Sequence, residues 1–536
     1  RSTLYKVDAV SGQVLATGAM DHSSSFAINN PTYAEGMIFV GLSDGTIQAF
    51  DAVTLRSVWI YRDPLKRQPN SPIVYHDGYL YTGFWNGEEK DANYVCLSVT
   101  DEDPTRGDEA KLATWTYTSK GGFYWAGAYV CDTAVVVPTD DGANGYITGH
   151  ARLLPLSPKT GFLQDAVTMA EPGDLRSAVT YDNGQCYFTS KGGYFYRIGL
   201  RGDGTFEPGS LRGLKLYNYA NDAANPAMST STPTVYNGRA YVGVSGVGQF
   251  KAYSGHNITV IDLASWRIAY TVRTQGYPQT SALLTTAYEA ETGYVYVYFF
   301  DNFTPGKLRL LRDQPRQTAP DVTTPETIVA GGQTVTYDTA PVLFTPSGAQ
   351  QQYAICSPIT DESGTIYFKN DSAFLMALTS TITKLEITAA PDKTAYREGE
   401  SFDPAGMRIT AYYANGYTRD VTKYVTWNTA PLTAADTRFR LEFPYAMYQN
   451  ADGQTGVACV KPSVMLSLTI STVAAGDVNG DGVVDDLDAA LVYGHINGKL
   501  TLTDEQLLRA DVNGDGLVEQ NDAAQIYAAY LTDTGR

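Results

Sequence analysis

Two acidic stretches near the end of the chain have the residue types and the spacing of a cation site. DVNGDGVVDDLD occupies residues 477–488, and DVNGDGLVEQND follows at 511–522, one 34-residue step later. A hard dication such as Ca²⁺ takes about six to eight oxygen ligands, which a 12-residue loop supplies from positions 1, 3, 5, 7, 9 and 12. In the first loop, those positions hold Asp477, Asn479, Asp481, the Val483 carbonyl, Asp485 (directly or through water) and Asp488. In the second loop, they hold Asp511, Asn513, Asp515, the Leu517 carbonyl, Glu519 and Asp522.

Glycine falls where each loop must turn sharply, at Gly482 and Gly516. The alternative for either stretch alone is an acidic surface loop that binds nothing. Two complete matches, each followed by an apolar stretch of helical character, favour metal binding. The sequence therefore predicts a small α-helical region with two EF-hand-like loops and one Ca²⁺ in each.

The charge of the chain is concentrated in the same region. The 536 residues have a formal net charge of −18, and residues 476–536 hold twelve Asp/Glu against three Lys/Arg. This balance argues against nucleic acid or an anionic membrane as a general partner. Since no apolar run approaches the roughly 18–20 residues of a membrane span, no membrane insertion is predicted. The chain opens at Arg1, and we expect that an N-terminal segment is missing or processed.

Most of the chain before these loops repeats a strand–turn–strand unit. Alternating strands with turn signals at a period near 50 residues are typical of a β-propeller, predicted here for residues 1–379. The opening stretch, LYKVDAVSGQVLATG, fits the last two strands of a further blade. Eight blades with a truncated first one are therefore favoured, and seven remain an alternative. The seven copies begin at Asn30-Pro31, Ser71-Pro72, Ala126-Gly127, Ser177-Ala178, Thr232-Pro233, Ser281-Ala282 and Ser357-Pro358.

Three segments of these repeats, at residues 7–16, 50–59 and 157–165, resemble the ALDxxTGxxxW element of PQQ-like (quinoprotein-like) propellers. The resemblance implies the propeller fold. The enzymes of that family are expected to carry adjacent cysteines, which this chain does not have. No bound PQQ and no dehydrogenase activity are therefore expected. The five cysteines are Cys96, Cys131, Cys186, Cys356 and Cys459, with no CxxC pair of the kind that binds zinc.

Residues 380–474 change character to short alternating strands with turns such as DPAG and ANG. The run from Lys393 to Met407, K-T-x-Y-x-x-G-E-x-F-D-P-x-G-M, resembles bacterial Ig-like domains of secreted surface proteins. The resemblance implies one β-sandwich, whose usual role is that of a spacer or a packing partner.

Residues 475–536 resemble the dockerin module of cellulosome-type assemblies. The resemblance rests on Asp rather than Glu at position 12 of both loops, the 34-residue duplication and the C-terminal placement. It implies calcium-dependent folding, tight binding to a cohesin module on a scaffoldin, and an extracellular protein associated with a complex or a cell surface.

Dockerins contact the cohesin through loop positions 10 and 11 and through the helix after each loop. The two copies differ at these loop positions, which argues against symmetric two-way binding. Carried onto this sequence, the expected contact residues are Asp486, Leu487, Val492 and Tyr493 in the first copy, and Gln520, Asn521, Ile526 and Tyr527 in the second.

Aromatic residues near turns of the repeats are candidates for binding carbohydrate. GFWNGEE contains Phe84 and Trp85, and GGFYWAG contains Tyr124 and Trp125. Flat rings beside polar groups suit sugar rings, whose C–H faces stack on aromatic side chains. The alternative is that these rings pack between blades.

Three functions follow from these features. We favour a secreted, non-catalytic component of a cellulosome-like complex whose propeller binds a polysaccharide or a cell-surface glycan. The alternatives are a propeller hydrolase or lyase tethered by the dockerin, and an adhesive propeller that binds protein. No motif demands catalysis: the five histidines form no HExxH, and GLSDG at 41–45 is predicted in a hairpin, not in the strand–turn–helix of a nucleophile elbow.

Overall fold

Short strands are the main regular elements of the structure, a computed structural model that describes residues 2–24, 29–219, 227–246, 254–321, 323–330, 332–444, 447–448 and 459–533. The described chain is mostly β, as predicted, and its long helices lie near the C-terminus. Two compact units are formed: the first from most residues up to 377, the second from most residues after 378 together with Asp361–Thr365. The described helices are α1 (Glu289–Thr292), α2 (Asp486–Ile496), α3 (Asp504–Ala510) and α4 (Gln520–Asp533), with 3₁₀ turns at Gly348–Gln350 and Thr422–Tyr424.

The first unit is a succession of small sheets, named A to H in chain order. Sheet A is the hairpin of Thr3–Val7 and Val14–Ala19. Sheet B contains Thr32–Ala34, Met37–Leu42, Thr46–Asp51 and Ser57–Arg62, with Glu109–Lys111 added in parallel at its edge. Sheet C contains Val74–His76, Tyr79–Gly83, Asp91–Ser98 and Trp115–Lys120. Sheet D contains Tyr129–Val130, Val135–Pro138, Arg152–Leu156 and Val167–Thr168.

Sheets E to H continue the pattern. Sheet E contains Thr180–Asp182, Gln185–Thr189, Tyr194–Gly199 and Arg212–Lys215. Sheet F contains Thr234–Tyr236, Arg239–Val244, Asn257–Asp262 and Arg267–Arg273. Sheet G contains Leu283–Thr285, Val295–Phe300, Leu308–Asp313 and Val342–Phe344, and the hairpin of Thr324–Ala330 and Gln333–Thr339 is inserted before its last strand. Sheet H contains Ile359–Thr360, Ile366–Lys369 and Leu375–Leu378.

The same tight turn joins the first two strands of several sheets. A two-residue hairpin turn that matches strand twist needs positive φ at both central residues, which favours Asn-Gly and Asp-Gly. The repeats place such pairs there, and both residues of each pair have positive φ. These pairs are Glu35-Gly36, Asp77-Gly78, Asn183-Gly184 and Asn237-Gly238.

Neighbouring sheets pack face to face in chain order. Trp59 of sheet B packs with Leu80 of sheet C in one buried cluster, and Trp115 of sheet C packs with Leu154 of sheet D in the next. The clusters that follow join D to E, E to F and F to G. Each of sheets C to F thus buries both faces, which a single small sheet cannot do alone.

The last sheet contacts both its neighbour and the first sheet. Phe368 of sheet H lies 4.8 Å from Phe300 of sheet G between ring centroids. The Tyr367 hydroxyl donates to the Ala9 carbonyl, in the turn of sheet A, at 3.3 Å. Leu4 of sheet A packs in turn on the buried Phe50 of sheet B. The succession of sheets therefore closes on itself, which is the arrangement of a propeller.

The second unit begins with short sheets and ends with helices α2, α3 and α4. Its three-stranded sheet contains Ile382–Ala389, Arg408–Tyr413 and Thr418–Asp420. The paired strands are Ala395–Arg397 with Thr469–Ser471, Arg438–Glu442 with Ser463–Ser467, and Met447–Tyr448 with Cys459–Val460. In the described parts of the chain, no helix is long and apolar enough to cross a membrane.

Capping boxes define the starts of two C-terminal helices. At α2, the Asp485 carboxylate accepts from a backbone N–H of the first turn, and the Asp488 carboxylate accepts from the backbone N–H of Asp485. Thr503 and Gln506 form the equivalent pair at α3. The helices enclose a small apolar core of Val478, Ala489, Val492, Leu502, Ala510, Ala523 and Ile526.

Candidate functional site

The first acidic loop is folded around two buried carboxylates. Asp477, which is 1% exposed, accepts hydrogen bonds from the backbone N–H groups of Gly480 at 2.8 Å, Asp481 at 3.1 Å and Gly482 at 2.8 Å. Asp488, at the other end of the loop, accepts from the N–H of Asn479 at 2.9 Å. The first and last predicted ligands therefore hold the loop backbone from both sides.

The second loop repeats this arrangement. Asp511 accepts from the N–H groups of Gly514 at 2.7 Å, Asp515 at 3.2 Å and Gly516 at 3.0 Å. Asp522 accepts from the N–H of Glu519 at 3.0 Å, as Asp488 does from the equivalent residue of the first loop. The two copies thus share one backbone fold, as their common sequence pattern requires.

The donor set of both loops fits Ca²⁺. The Asp477, Asp488 and Asp522 side chains are almost fully buried, and no Lys, Arg or His forms an ion pair with them in the described residues. Burial and, to a lesser degree, the nearby Asp477 carboxylate raise the pKa of Asp488. Buried carboxylates without a counter-charge are costly, and a dication would supply that charge. All the predicted donors are oxygens, the type that Ca²⁺ prefers.

The predicted partner-contact residues divide by exposure. Leu487 is 59% exposed, Tyr493 38% and Tyr527 45%, and the polar loop residues Asp486, Gln520 and Asn521 are also exposed. The prediction was wrong for Val492 and Ile526, which are buried. They lie three residues after the core alanines Ala489 and Ala523, so each shares the inward face of its helix.

The second loop is also held by the strand region of the same unit. The Arg397 guanidinium donates through Nη2 to the carbonyl of Leu508 at 3.1 Å and to the carbonyl of Asp511. Arg509 of α3 donates to the Ser471 hydroxyl at 3.2 Å. The first ligand of the second loop is therefore positioned partly from outside the helical region.

Replacing Arg397 by alanine should weaken calcium binding by the second loop about tenfold. Hydrogen bonds from a charged donor contribute about 1.5–3 kcal/mol, and this loss leaves the Asp511 carbonyl unsupported. Isothermal titration calorimetry of the full chain with Ca²⁺ would measure it, with Arg438→Ala, at an exposed arginine, as the control. Equal affinities for the two variants would contradict the prediction.

The aromatic candidates of the first unit form a partly buried cluster. Tyr124 lies between Trp85, at 4.9 Å between ring centroids, and Trp125, at 4.7 Å. These three rings are half-buried. The prediction was wrong for Phe84, which is fully buried in the core between sheets B and C, 6.3 Å from the Tyr61 ring.

A buried arginine, which the sequence analysis did not single out, organises the neighbourhood of these rings. Arg176 donates from Nε to Asp140 at 3.0 Å and from Nη2 to Glu88 at 2.8 Å, and its guanidinium lies 4.6 Å from the Tyr124 ring centroid. Nη2 is also 2.8 Å from Asp174 Oδ2, without hydrogen-bond alignment. Trp85 joins the cluster by donating its indole N–H to Asp140 at 3.1 Å.

Burial dominates the protonation of this cluster. It raises the pKa of Asp174 to about 7, against the lowering by Arg176, and it holds the pKa of Asp140 well above its usual range. It also lowers the pKa of Lys191 to about 8. Oxygens of Glu88, Asp140 and Asp174 lie within 4.8 Å of one another, a spacing that could suit a metal ion. Arg176 already supplies the counter-charge there, so we assign no metal to it.

A cavity of about 130 Å³ lies where the repeats begin, and we call it the repeat-start cavity. Its residues come from successive sheets, and most are uncharged and polar. It does not fit PQQ, a tricarboxylate, because its arginine, Arg176, is already paired with three carboxylates. The lining residues are Asn29, Asn70, Pro72, Trp125, Arg176, Thr230, Thr232, Gln279, Thr280, Ser281, Ile355 and Ser357.

Comparison with known families confirms the resemblances of the two ends of the chain. Residues 475–530 match the family described as "Dockerin type I domain", and residues 1–89 match the family described as "Outer membrane protein assembly factor BamB". The chain thus has a dockerin type I domain at its C-terminus and a PQQ-like propeller domain of BamB type at its N-terminus. No curated protein matches the chain.

Several solved structures are similar to the chain. BamB from Moraxella catarrhalis is 13% identical, with 73% of this chain and 95% of that chain covered and a TM-score of 0.39. A quinohemoprotein alcohol dehydrogenase from Pseudomonas putida HK5 is 13% identical, with 68% and 66% covered and a TM-score of 0.44. A europium-containing methanol dehydrogenase is 10% identical, with 68% and 78% covered and a TM-score of 0.44.

Proposed function

We propose that this chain is a secreted, non-catalytic component of a cellulosome-like complex, held there by calcium-dependent binding of its dockerin domain to a cohesin. One observation carries the proposal: both loops of the domain fold in the same way around the carboxylates of their first and last positions. Three of these carboxylates, Asp477, Asp488 and Asp522, are buried and lack a cationic partner in the described residues. One Ca²⁺ in each loop would supply that charge and fix the helix that follows.

The exposed residues beside the two loops would form the cohesin surface. Leu487 and the tyrosines Tyr493 and Tyr527 offer apolar area, and the loop residues Asp486, Gln520 and Asn521 surround it with polar groups. An apolar centre with a polar rim is typical of a protein interface. The buried Val492 and Ile526 would support the surface from below.

We also propose the finer architecture. Residues 1–379 form an eight-bladed propeller whose first blade is sheet A, residues 380–474 an Ig-like sandwich, and residues 475–536 the dockerin. The separate pairing of sheet A and its contacts with sheets B and H support a truncated first blade.

The propeller would bind a glycan of a plant polysaccharide or a cell surface. Support comes from the half-buried rings of Trp85, Tyr124 and Trp125, which lie beside hydrogen-bonding groups. A glycan-active hydrolase or lyase is the second candidate. Its support is the cluster of Glu88, Asp140 and Asp174 beside the same rings, in which burial raises the pKa of Asp174 to about 7.

Two measurements on the full chain test the proposal. Capture on immobilised type I cohesins should require Ca²⁺ and should be lost with a chelator; capture that ignores the chelator would contradict the anchoring role. An array of plant and host polysaccharides should retain the chain without releasing sugar. Release of sugar would favour the enzyme, and retention only by proteins would favour an adhesive propeller.

A further inference from the structure

The repeat-start cavity brings together residues from one register position of different repeats. Asn29, Asn70, Trp125, Arg176 and Thr280 each directly precede the small or polar residue that opens a repeat. They lead into sheets B, C, D, E and G, and their side chains line one cavity. These residues occupy equivalent positions in their repeats. Because the residue type at that position differs between repeats, each repeat brings a different chemical group to the cavity.

Several of these side chains hold buried polar atoms that lack a hydrogen-bond partner in the described residues. Asn70, only 1% exposed, has an unpartnered Oδ1, and Thr280, 5% exposed, has an unpartnered Oγ1. Asn29 Oδ1 and the indole Nε1 of Trp125 are also unpartnered. Buried polar atoms are costly if they stay unbonded, so this concentration around one cavity requires bound water or a ligand that bonds to them.

The mixture of unused donors and acceptors defines the chemistry of that ligand. The amides of Asn29 and Asn70 donate to the Pro69 carbonyl and to Gln68, which leaves their oxygens as acceptors. Trp125 Nε1 can only donate, and Thr280 Oγ1 can do both. A carboxylate would leave the amide oxygens unpaired, and an ammonium would leave the indole unpaired. Hydroxyl groups, which donate and accept, satisfy both.

Arg176 adds a further donor without adding free charge. Its Nε and Nη2 are bonded to the carboxylates, and no hydrogen bond involves Nη1 in the described residues. Because Glu88, Asp140 and Asp174 surround the guanidinium, the cavity does not favour an anion. The electrostatic environment therefore disfavours an anionic ligand.

Trp125 supplies a ring in an unusual backbone conformation. Its φ is 57°, in the left-handed region, where a bulky side chain is strained. Such strain persists where the surrounding structure enforces it and is concentrated at ligand sites. An indole held at the wall of a polar cavity suits the C–H face of a sugar ring.

We propose that the repeat-start cavity binds a sugar unit of a neutral glycan, with Asn29, Asn70, Trp125, Arg176 and Thr280 as hydrogen-bonding residues. The inference rests on the proposed glycan-binding role of the propeller and specifies its site.

Methyl glycosides test the cavity directly. The full chain would be titrated with methyl glycosides of glucose, galactose, mannose, xylose, arabinose, rhamnose, fucose and N-acetylglucosamine, followed by saturation-transfer NMR. We expect at least one to bind, and Trp125→Phe and Thr280→Val each to weaken it about three- to tenfold, the loss of one neutral hydrogen bond. Trp266→Phe is the matched control, since Trp266 also has positive φ but packs on the core between sheets E and F and does not line the cavity.

The outcomes separate this site from the broader function. Binding of no glycoside, or equal effects of Trp125→Phe and Trp266→Phe, would overturn the proposed site. If a polysaccharide still retains the chain in that case, glycan binding by the propeller survives at another surface.

Discussion

Replacing Asp477 and Asp511 together by alanine should abolish calcium-dependent capture by a cohesin, lowering its affinity about a thousandfold or more. Each carboxylate accepts three backbone N–H bonds and occupies the first ligand position of its loop. If each contributes about 2 kcal/mol or more, two losses amount to roughly three factors of ten. The measurement is surface plasmon resonance of the full chain on an immobilised cohesin, with and without Ca²⁺.

Asp504→Ala provides the control for this double variant. Asp504 is an exposed carboxylate in the first turn of α3 and belongs to neither loop. The substitution removes negative charge from the same region. It should lower the stability of the helix by no more than about 1 kcal/mol, through the lost interaction with the helix dipole. Calcium-dependent capture that persists in the double variant at the strength of this control would refute the metal assignment.

Replacing Arg176 by methionine should destabilise the first unit by about 3–5 kcal/mol near neutral pH. The change leaves Asp140 and Asp174 buried with their shared cationic partner removed, the situation in which breaking a buried ion pair is most costly. Denaturant unfolding followed by tryptophan fluorescence in saturating Ca²⁺ would measure the loss. Arg197→Met is the control: Arg197 stacks on Trp266 at 4.6 Å, an interaction worth about 1 kcal/mol.

The same variant should show a steeper dependence of stability on pH. Burial raises the pKa of Asp174 from 3.8 to about 7, so the folded state binds a proton more tightly than the unfolded state. The contribution of Asp174 to the free energy of unfolding of the native protein is therefore largest below pH 3.8 and decreases as the pH rises towards 7. Without Arg176 the pKa of Asp174 rises further, because the cation that lowered it is gone. The loss of stability caused by Arg176→Met should therefore be smaller in acid. A deficit that is equal at pH 5 and pH 8 would contradict this account.

The sequence was most informative where a site is local. All the predicted ligands of a calcium loop lie within 12 residues, and the spacing alone is enough to predict them. The Arg176 cluster is different: its Glu88 partner is 88 residues away in the chain. Only the packing of sheets brings these groups together, and no sequence pattern within a single repeat indicates that they form a cluster.

The wrong assignments have a common origin. Val492 and Ile526 are equivalent in the two copies, but equivalence marks a shared position and does not say whether it faces a partner or the core. Phe84 directly follows the strand Tyr79–Gly83 and remains in the core, whereas the next residue, Trp85, reaches the Arg176 cluster. Whether a single residue is exposed depends on tertiary packing. The sequence pattern predicts where whole strands lie, but not which residue at the end of a strand leaves the core.

Asp485 and Asp488 each have two roles, as they form the capping box of α2 and are also predicted ligands of the first loop. An ion that binds them would tighten the start of the helix that presents Leu487 and Tyr493. Calcium in extracellular modules typically binds at about 0.1–1 mM, a concentration found outside cells and not in the cytosol. If the chain is exported, the ion would be scarce where the chain is synthesised and abundant where it binds its partner. The docking face would then become ordered only after export.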